Sequence, residues 1–223
     1  MNELELKKLW QTTNNKLDES IVINKKNTED ITRVKVHSIL CSMKPIKFFT
    51  LLLGILWVGI GVIALGSVYL NSFFEANKFF LFSASIQVGL TAMALYVYLY
   101  QLITIYQVDI TDPIIRTQEK LSSLKISTLW VTRILFLQLP VWTTFWWNET
   151  MPTDWSILQW VVTLFFTISF TFIAIWLFFN IKYENRNKKW FQLIFSGKEW
   201  TSLMKSMELL EQVEDYKRQK ASS

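Results

Sequence analysis

At 223 residues, 51% hydrophobic and 16% aromatic but only 18% charged, the chain carries more apolar surface than a soluble core can hide, an average soluble domain being about 25% charged. Its net charge of +5 comes from basic residues mixed with acids and set beside apolar stretches, which fits adhesion to an anionic leaflet and excludes a nucleic-acid footprint. A single cysteine and a single histidine exclude an intrachain disulfide and leave a zinc site nothing but carboxylates.

The opening MNELELKKLWQTTNNKLDESIVINK is polar, with neither an apolar core nor a small-residue cleavage site, so no cleavable signal peptide is expected. Leu6, Leu9, Trp10, Thr13 and Leu17 recur there at helical spacing, with Asn2 and Glu5 placed as N-cap and third residue. His37 and Cys41 follow with no partner visible in the pattern. An acylation site at Cys41 is the functional alternative to simple packing.

Three stretches without any charge, Phe48 to Leu70, Phe79 to Val108 and Trp155 to Ile181, and a fourth from Ile126 to Asn148 interrupted only by Arg133, are each long enough to cross about 30 Å of hydrocarbon as a helix. The first serves as an uncleaved signal anchor. Nine Lys and Arg residues precede it; the next loops hold Lys78, then Arg116, Lys120 and Lys125, then none in NETMPTD, and nine more follow the last span. Positive charge in short loops stays cytoplasmic, so both termini are expected inside. Trp146, Trp147 and Trp155 mark the outer interface, and Trp176, Tyr183 and Trp190 the inner one.

Within the spans, Gly54, Gly59, Gly61, Gly66 and Ala64 on the first, and Ser85, Gly89 and Ala92 on the second, predict close packing of spans one and two along small-residue faces. Span two exceeds the hydrocarbon thickness, so it tilts or its YLYQLITIYQV end projects inward. Asp112 and Pro113 look like an N-cap and N1 pair for a helix leading into span three. Pro140 should kink that span.

Polar groups at depth are the usual place to look for function. Arg133 lies about 9 Å along the helix from residue 127; it is either a functional charge or an anchor snorkelling to the interface. Gln87 and Gln138 either bond between helices or line a polar path. The spans hold no Asp, Glu or His, so no proton relay can be built in them. No phosphate loop, nucleophile elbow or HExxH occurs. Asp109, Asp112 and Glu119 share a solvated inner loop, where a cation or acid-base role is the alternative to plain solvation. An enzyme is not expected, and no cofactor or metal is implied.

After span four, Ser196-Gly197-Lys198-Glu199 reads as a capping box with Phe195 and Trp200 at the staple positions. The helix it opens, to about Arg218, puts Trp200, Leu203, Met204, Met207 and Leu210 on one stripe. The inner leaflet, the N-terminal helix of the same chain or a partner protein must cover that stripe.

The opening ELELKKLWQ and the juxtamembrane SMKPIKFFTLLLGILWVG, followed by four spans, resemble those of small bacterial inner-membrane proteins over the first 60 residues or so. The resemblance implies membrane-held regulation, in some such proteins linked to extracytoplasmic-function sigma factors. This chain departs from typical anti-sigma factors: its N-terminal segment of 47 residues is shorter, the His/Cys zinc pattern is missing, and four spans replace one.

The expected fold is all-α: a bundle of four transmembrane helices (about 48–70, 79–106, 127–147 and 155–179, within a membrane domain 48–181) with amphipathic cytoplasmic helices at both ends, 1–47 and 182–223. Two functions stay open. One is a non-enzymatic regulatory or scaffold protein of the bacterial inner membrane, docking a cytoplasmic partner through its terminal helices, with self-association possible. The other is a small oligomeric channel or transporter subunit, its polar path built from Gln87, Thr91, Gln138, Thr143, Thr144, Thr163 and Thr167.

Overall fold

The computed structural model describes residues 3–221, with side chains for 7–24 and 26–215, and every regular element among them is helical. The proposed Asn2 cap and the Leu6 side chain lie outside what is described. In chain order the elements are α1 (Glu3–Asn71), α2 (Lys78–Tyr106), α3 (Ile114–Phe136), α4 (Leu139–Thr144), α5 (Met151–Asp154), α6 (Ile157–Asn180), a 3₁₀ turn (Tyr183–Asn185), α7 (Lys189–Ile194) and α8 (Lys198–Ala221). Four segments are long and apolar enough to cross a membrane: the C-terminal part of α1, α2, α3 continued by α4, and α6.

α1 runs through 69 residues, with Pro45 inside it, so the N-terminal helix and the first span are a single rod of about 100 Å at 1.5 Å per residue. α2 begins where Asn77 accepts hydrogen bonds from the amides of Phe79 (2.9 Å) and Phe80 (3.3 Å), an ordinary asparagine N-cap. The same side chain donates to the Trp147 carbonyl at 2.6 Å, tying the first loop to the third. α6 opens on a true capping box, with Ser156 accepting from the Gln159 amide and the Gln159 side chain accepting from Ser156.

Several sequence expectations are corrected in detail. Pro140 does more than kink its span: α3 ends at Phe136 and α4 restarts at Leu139. Phe136 is the residue four before the proline, whose carbonyl loses its donor and meets the ring. The N-cap of α3 is Pro113, not Asp112; Asp112 instead accepts from Lys120 at 2.7 Å. No capping box forms at 196–199. Ser196 donates to the Leu193 carbonyl at 3.1 Å and Glu199 is engaged elsewhere, although Phe195 and Trp200 do meet, ring centroids 4.7 Å apart.

Spans one and two pack together, but only one of the two small-residue faces takes in large side chains. A Cβ added to Gly54 would fall 2.2 Å from Leu95 Cδ2, and one on Gly61 would fall 2.8 Å from Val88 Cγ2. These two glycines, seven residues apart, are the holes into which α2 sets large side chains. Gly89 faces open space and Ala92 is exposed, so these two turn away from the contact, while Ser85 at the start of the stripe meets Tyr69 of α1 at 3.0 Å.

The densest core lies at the end of the molecule where both described termini emerge. Val36, Leu40 and Met43 of α1, Ile105 of α2 with Val108 just beyond it, Leu121 and Leu124 of α3, and Leu203 and Leu210 of α8 form one buried cluster. The last turns of α2 therefore continue past the span into a polar-ended helical layer. α8 runs antiparallel to α1 and α3: its start meets Lys47, and Glu214 near its other end accepts from Gln118 at 2.9 Å. A second cluster, Leu129, Leu177, Ile181, Phe191 and Phe195, joins α3, α6 and α7 beside it.

Candidate functional site

At the junction between this layer and the spans, a lysine is buried. Lys47 is 2% exposed, and a charge can stay in such a place only if it is paired and hydrogen-bonded. Its Nζ donates to Gln101 Oε1 at 2.7 Å and to Glu199 Oε2 at 2.8 Å, and it sits 4.5 Å from the centre of the Tyr98 ring. Gln101, itself 1% exposed, passes the contact on: its Nε2 donates to Ser127 Oγ at 3.0 Å and to Thr128 Oγ1 at 3.4 Å. One lysine thus joins α1, α2, α3 and α8. This centre has the geometry of a clasp, closed at Lys47 and partly open at Glu199, which is 21% exposed and borders a cleft shared with Tyr98 and Thr128.

Neither Lys47 nor Glu199 stood out as a site residue in the sequence, where one was read as a topogenic charge and the other as a capping carboxylate. The missed signal is their phase. Val36, Leu40, Met43 and Lys47 fall at i, i+4, i+7 and i+11, and Glu199, Leu203, Ser206, Leu210 and Val213 at i, i+4, i+7, i+11 and i+14. Each apolar stripe ends on a charge at a core position, and the two charges are opposite.

The α8 stripe is covered by the chain itself. Leu203 and Leu210 are each 1% exposed, and Trp200, Met204 and Met207 pack against the same cluster. The cover comes from α1 around Val36 to Met43 together with α3, not from the stripe of Leu9 to Leu17. The 24 residues of α8 span about 36 Å; starting at Lys47, they reach back to roughly residue 25.

Arg133 is half-buried and turned onto the end of α6. Its Nε donates to the Ile181 carbonyl at 2.8 Å, its Nη2 donates to the same oxygen, and its guanidinium lies 5.2 Å from the centre of the Trp130 ring. A cation at a helix C-terminus, bonded to a carbonyl that the helix leaves free, is a favourable pairing. Gln138 donates to Thr91 Oγ1 at 3.0 Å and Ser83 meets Thr144 at 2.9 Å, so these polar groups bond between α2 and the α3–α4 segment. Gln87 is 9% exposed and lines a groove beside α1.

Cys41 does have a neighbour, its Sγ lying 3.7 Å from both ring nitrogens of His37 one turn earlier. Asp112 is paired with Lys120 at 2.7 Å and, more loosely, with Arg116 at 3.7 Å; the Lys120 hydrogen bond holds its carboxyl below the usual range. Asp109 is held low by the Thr111 amide. Among the described residues no three His, Cys, Asp or Glu side chains gather as a metal site would require.

Fold and site together define an all-helical protein with four helices able to cross a membrane and a helical layer latched to their ends. No protein-family model, no curated protein and no solved structure matches the chain.

Proposed function

We propose that this is a non-enzymatic integral protein of a bacterial cytoplasmic membrane, both termini inside, that holds a soluble cytoplasmic partner near the bilayer as a regulator or scaffold. The observation that carries this reading is the bare N-terminal part of α1. Leu9 and Trp10 are each 68% exposed and Leu17 is 56% exposed, on a stretch of helix that α8 does not reach.

The bilayer of the same molecule is a poor cover for these residues. Leu17 stands 30 positions before Lys47, about 45 Å along a continuous helix, whereas an interfacial helix must lie in the headgroup plane. An apolar stripe held away from lipid and bordered by Lys7, Lys8, Lys16, Asp18 and Glu19 suits a grooved protein partner that takes a helix by its apolar face. The basic flanks of the spans support the orientation. With α8 folded onto α1, the docking role first considered for Trp200, Leu203, Met204, Met207 and Leu210 moves to the other terminal helix.

The test is photo-crosslinking in native membranes from position 13, between Trp10 and Leu17. The expected result is one protein adduct, lost in the Trp10→Asp/Leu17→Asp double variant while the protein level is unchanged. Adducts confined to lipid, or a protein adduct indifferent to the double variant, would contradict the proposal.

A further inference from the structure

Between α1 and α2 lies a groove of about 340 Å3 bordered by Trp57, Ala64, Phe80, Gln87, Val88 and Phe145. Trp57 and Ala64 are exposed on its outer wall, so it is open at the surface of the spans. Its lining is apolar and aromatic except for one side chain. Gln87 is 9% exposed, and its amide makes no hydrogen bond among the described residues. The amide is not among the fully buried unpaired polar atoms: it borders the groove, and leaving it without a partner in a medium that offers no water is costly.

Depth narrows what could meet that amide. Lys78 and Gln101 mark the two ends of the span on α2, 23 residues apart or about 35 Å. Gln87 is nine residues from Lys78, about 14 Å inward and hence near the middle of the hydrocarbon. A phospholipid keeps its esters and headgroup at the interface, so its acyl chain would fill the groove and leave the amide unpaired. A second copy of the chain offers its own Gln87 equally recessed, and two recessed amides cannot meet.

We propose that the groove is a binding site for an isoprenoid quinone. The flat ring lies beside Gln87 on the Trp57 side of the groove, a ring carbonyl accepts from the Gln87 amide, and the apolar tail runs along the groove toward the Phe80–Phe145 pair and on into lipid. The combination of a mostly apolar, aromatic pocket with one convergent polar group is the usual form of a small-molecule site. It is a mid-membrane site, independent of partner docking at the far end of α1.

Quenching of tryptophan fluorescence by decyl-ubiquinone, titrated into the full chain in nanodiscs, tests this. Saturable quenching is expected, largely lost in Trp57→Phe. Affinity should weaken about tenfold in Gln87→Leu, the weight of one hydrogen bond, and binding should be abolished in Ala64→Phe, which fills the groove. Helical circular dichroism and a monodisperse profile confirm that each variant is folded. Quenching that never saturates, or that saturates equally in Gln87→Leu or Ala64→Phe, overturns the proposal. So does native mass spectrometry showing a phospholipid, or a Gln87-dependent dimer without quinone, in place of the expected ligand.

Discussion

The two halves of this molecule bury their side chains differently. At the polar end, α1, α2, α3 and α8 enclose Val36, Leu40, Leu121, Leu124, Leu203 and Leu210 almost completely, and even a lysine is sealed in. Along the spans the large residues point outward: Ile63, Leu158 and Phe165 are exposed, and the most apolar window of α1 has no buried residue. Outward leucines are what lipid permits, because hydrocarbon gives helices no hydrophobic reason to associate. The same exposure on Leu9 and Trp10 lies outside the apolar window of α1, on the stretch to which the proposed partner docking is assigned. Under the proposed function, identical chemistry on one helix means solvation by lipid in one place and recognition in another.

The contrast can be broken most forcefully at the clasp. Removing one partner of a buried ion pair leaves an uncompensated charge, so Lys47→Ala or Glu199→Ala should destabilise the polar layer by about 3–5 kcal/mol. Replacing both, as Lys47→Met with Glu199→Leu, should recover most of the loss. Thermal unfolding followed by circular dichroism in detergent measures all three. Additive losses in the double variant would mean that the two residues are not coupled.

A smaller effect is expected at the span end. Arg133→Met removes the charged donors from the Ile181 carbonyl and should cost about 1.5–3 kcal/mol, with faster proteolysis in 182–188. Arg133→Lys should lose less. Indifference to both would return Arg133 to the role of a snorkelling anchor.

The smallest effect concerns Asp112. Its carboxyl is held below the ordinary value of 3.8, first by the Lys120 hydrogen bond and further by the Asp109 amide. A depressed folded-state value means that the contact contributes in full above that ordinary value and is lost as pH falls through the lower one. Wild type should therefore protect the 109–120 segment from hydrogen exchange better than Asp112→Asn at pH 6. The difference should vanish on acidification below the ordinary carboxylate range, and a difference that grew there would carry the wrong sign.

Much of the fold was legible in the sequence because lipid imposes a simple rule. The absence of charge marked the four long apolar helices, and Pro140 marked where the third is disturbed, though as a kink and not as the full break after Phe136. What stayed hidden were pairings between distant segments. Gly54 and Gly61 advertised close approach, yet nothing in α2 said that Val88 and Leu95, and not Gly89 and Ala92, would fill them. Lys47 carried two meanings at once, a positive charge beside a span and the next core position after Met43, and the topogenic meaning is the one a charge count finds. Glu199 likewise fits a capping box until the lysine across from it is known. The cover of the α8 stripe depended on where α8 starts along α1, a fact that belongs to the Lys47–Glu199 contact and to no local pattern.

The N-terminal part of α1 is a continuous helix carrying an uncovered stripe beyond the reach of α8. Spin labels at the exposed positions Thr13 and Ser42, with Cys41→Ser in the full chain, test it by pulsed dipolar spectroscopy in nanodiscs. Twenty-nine residues of helix predict a narrow distance distribution near 44 Å, roughly 1.5 Å per residue. A broad or much shorter distribution would mean that the N-terminal stripe folds back onto lipid or onto the chain, and the proposed docking helix would not exist.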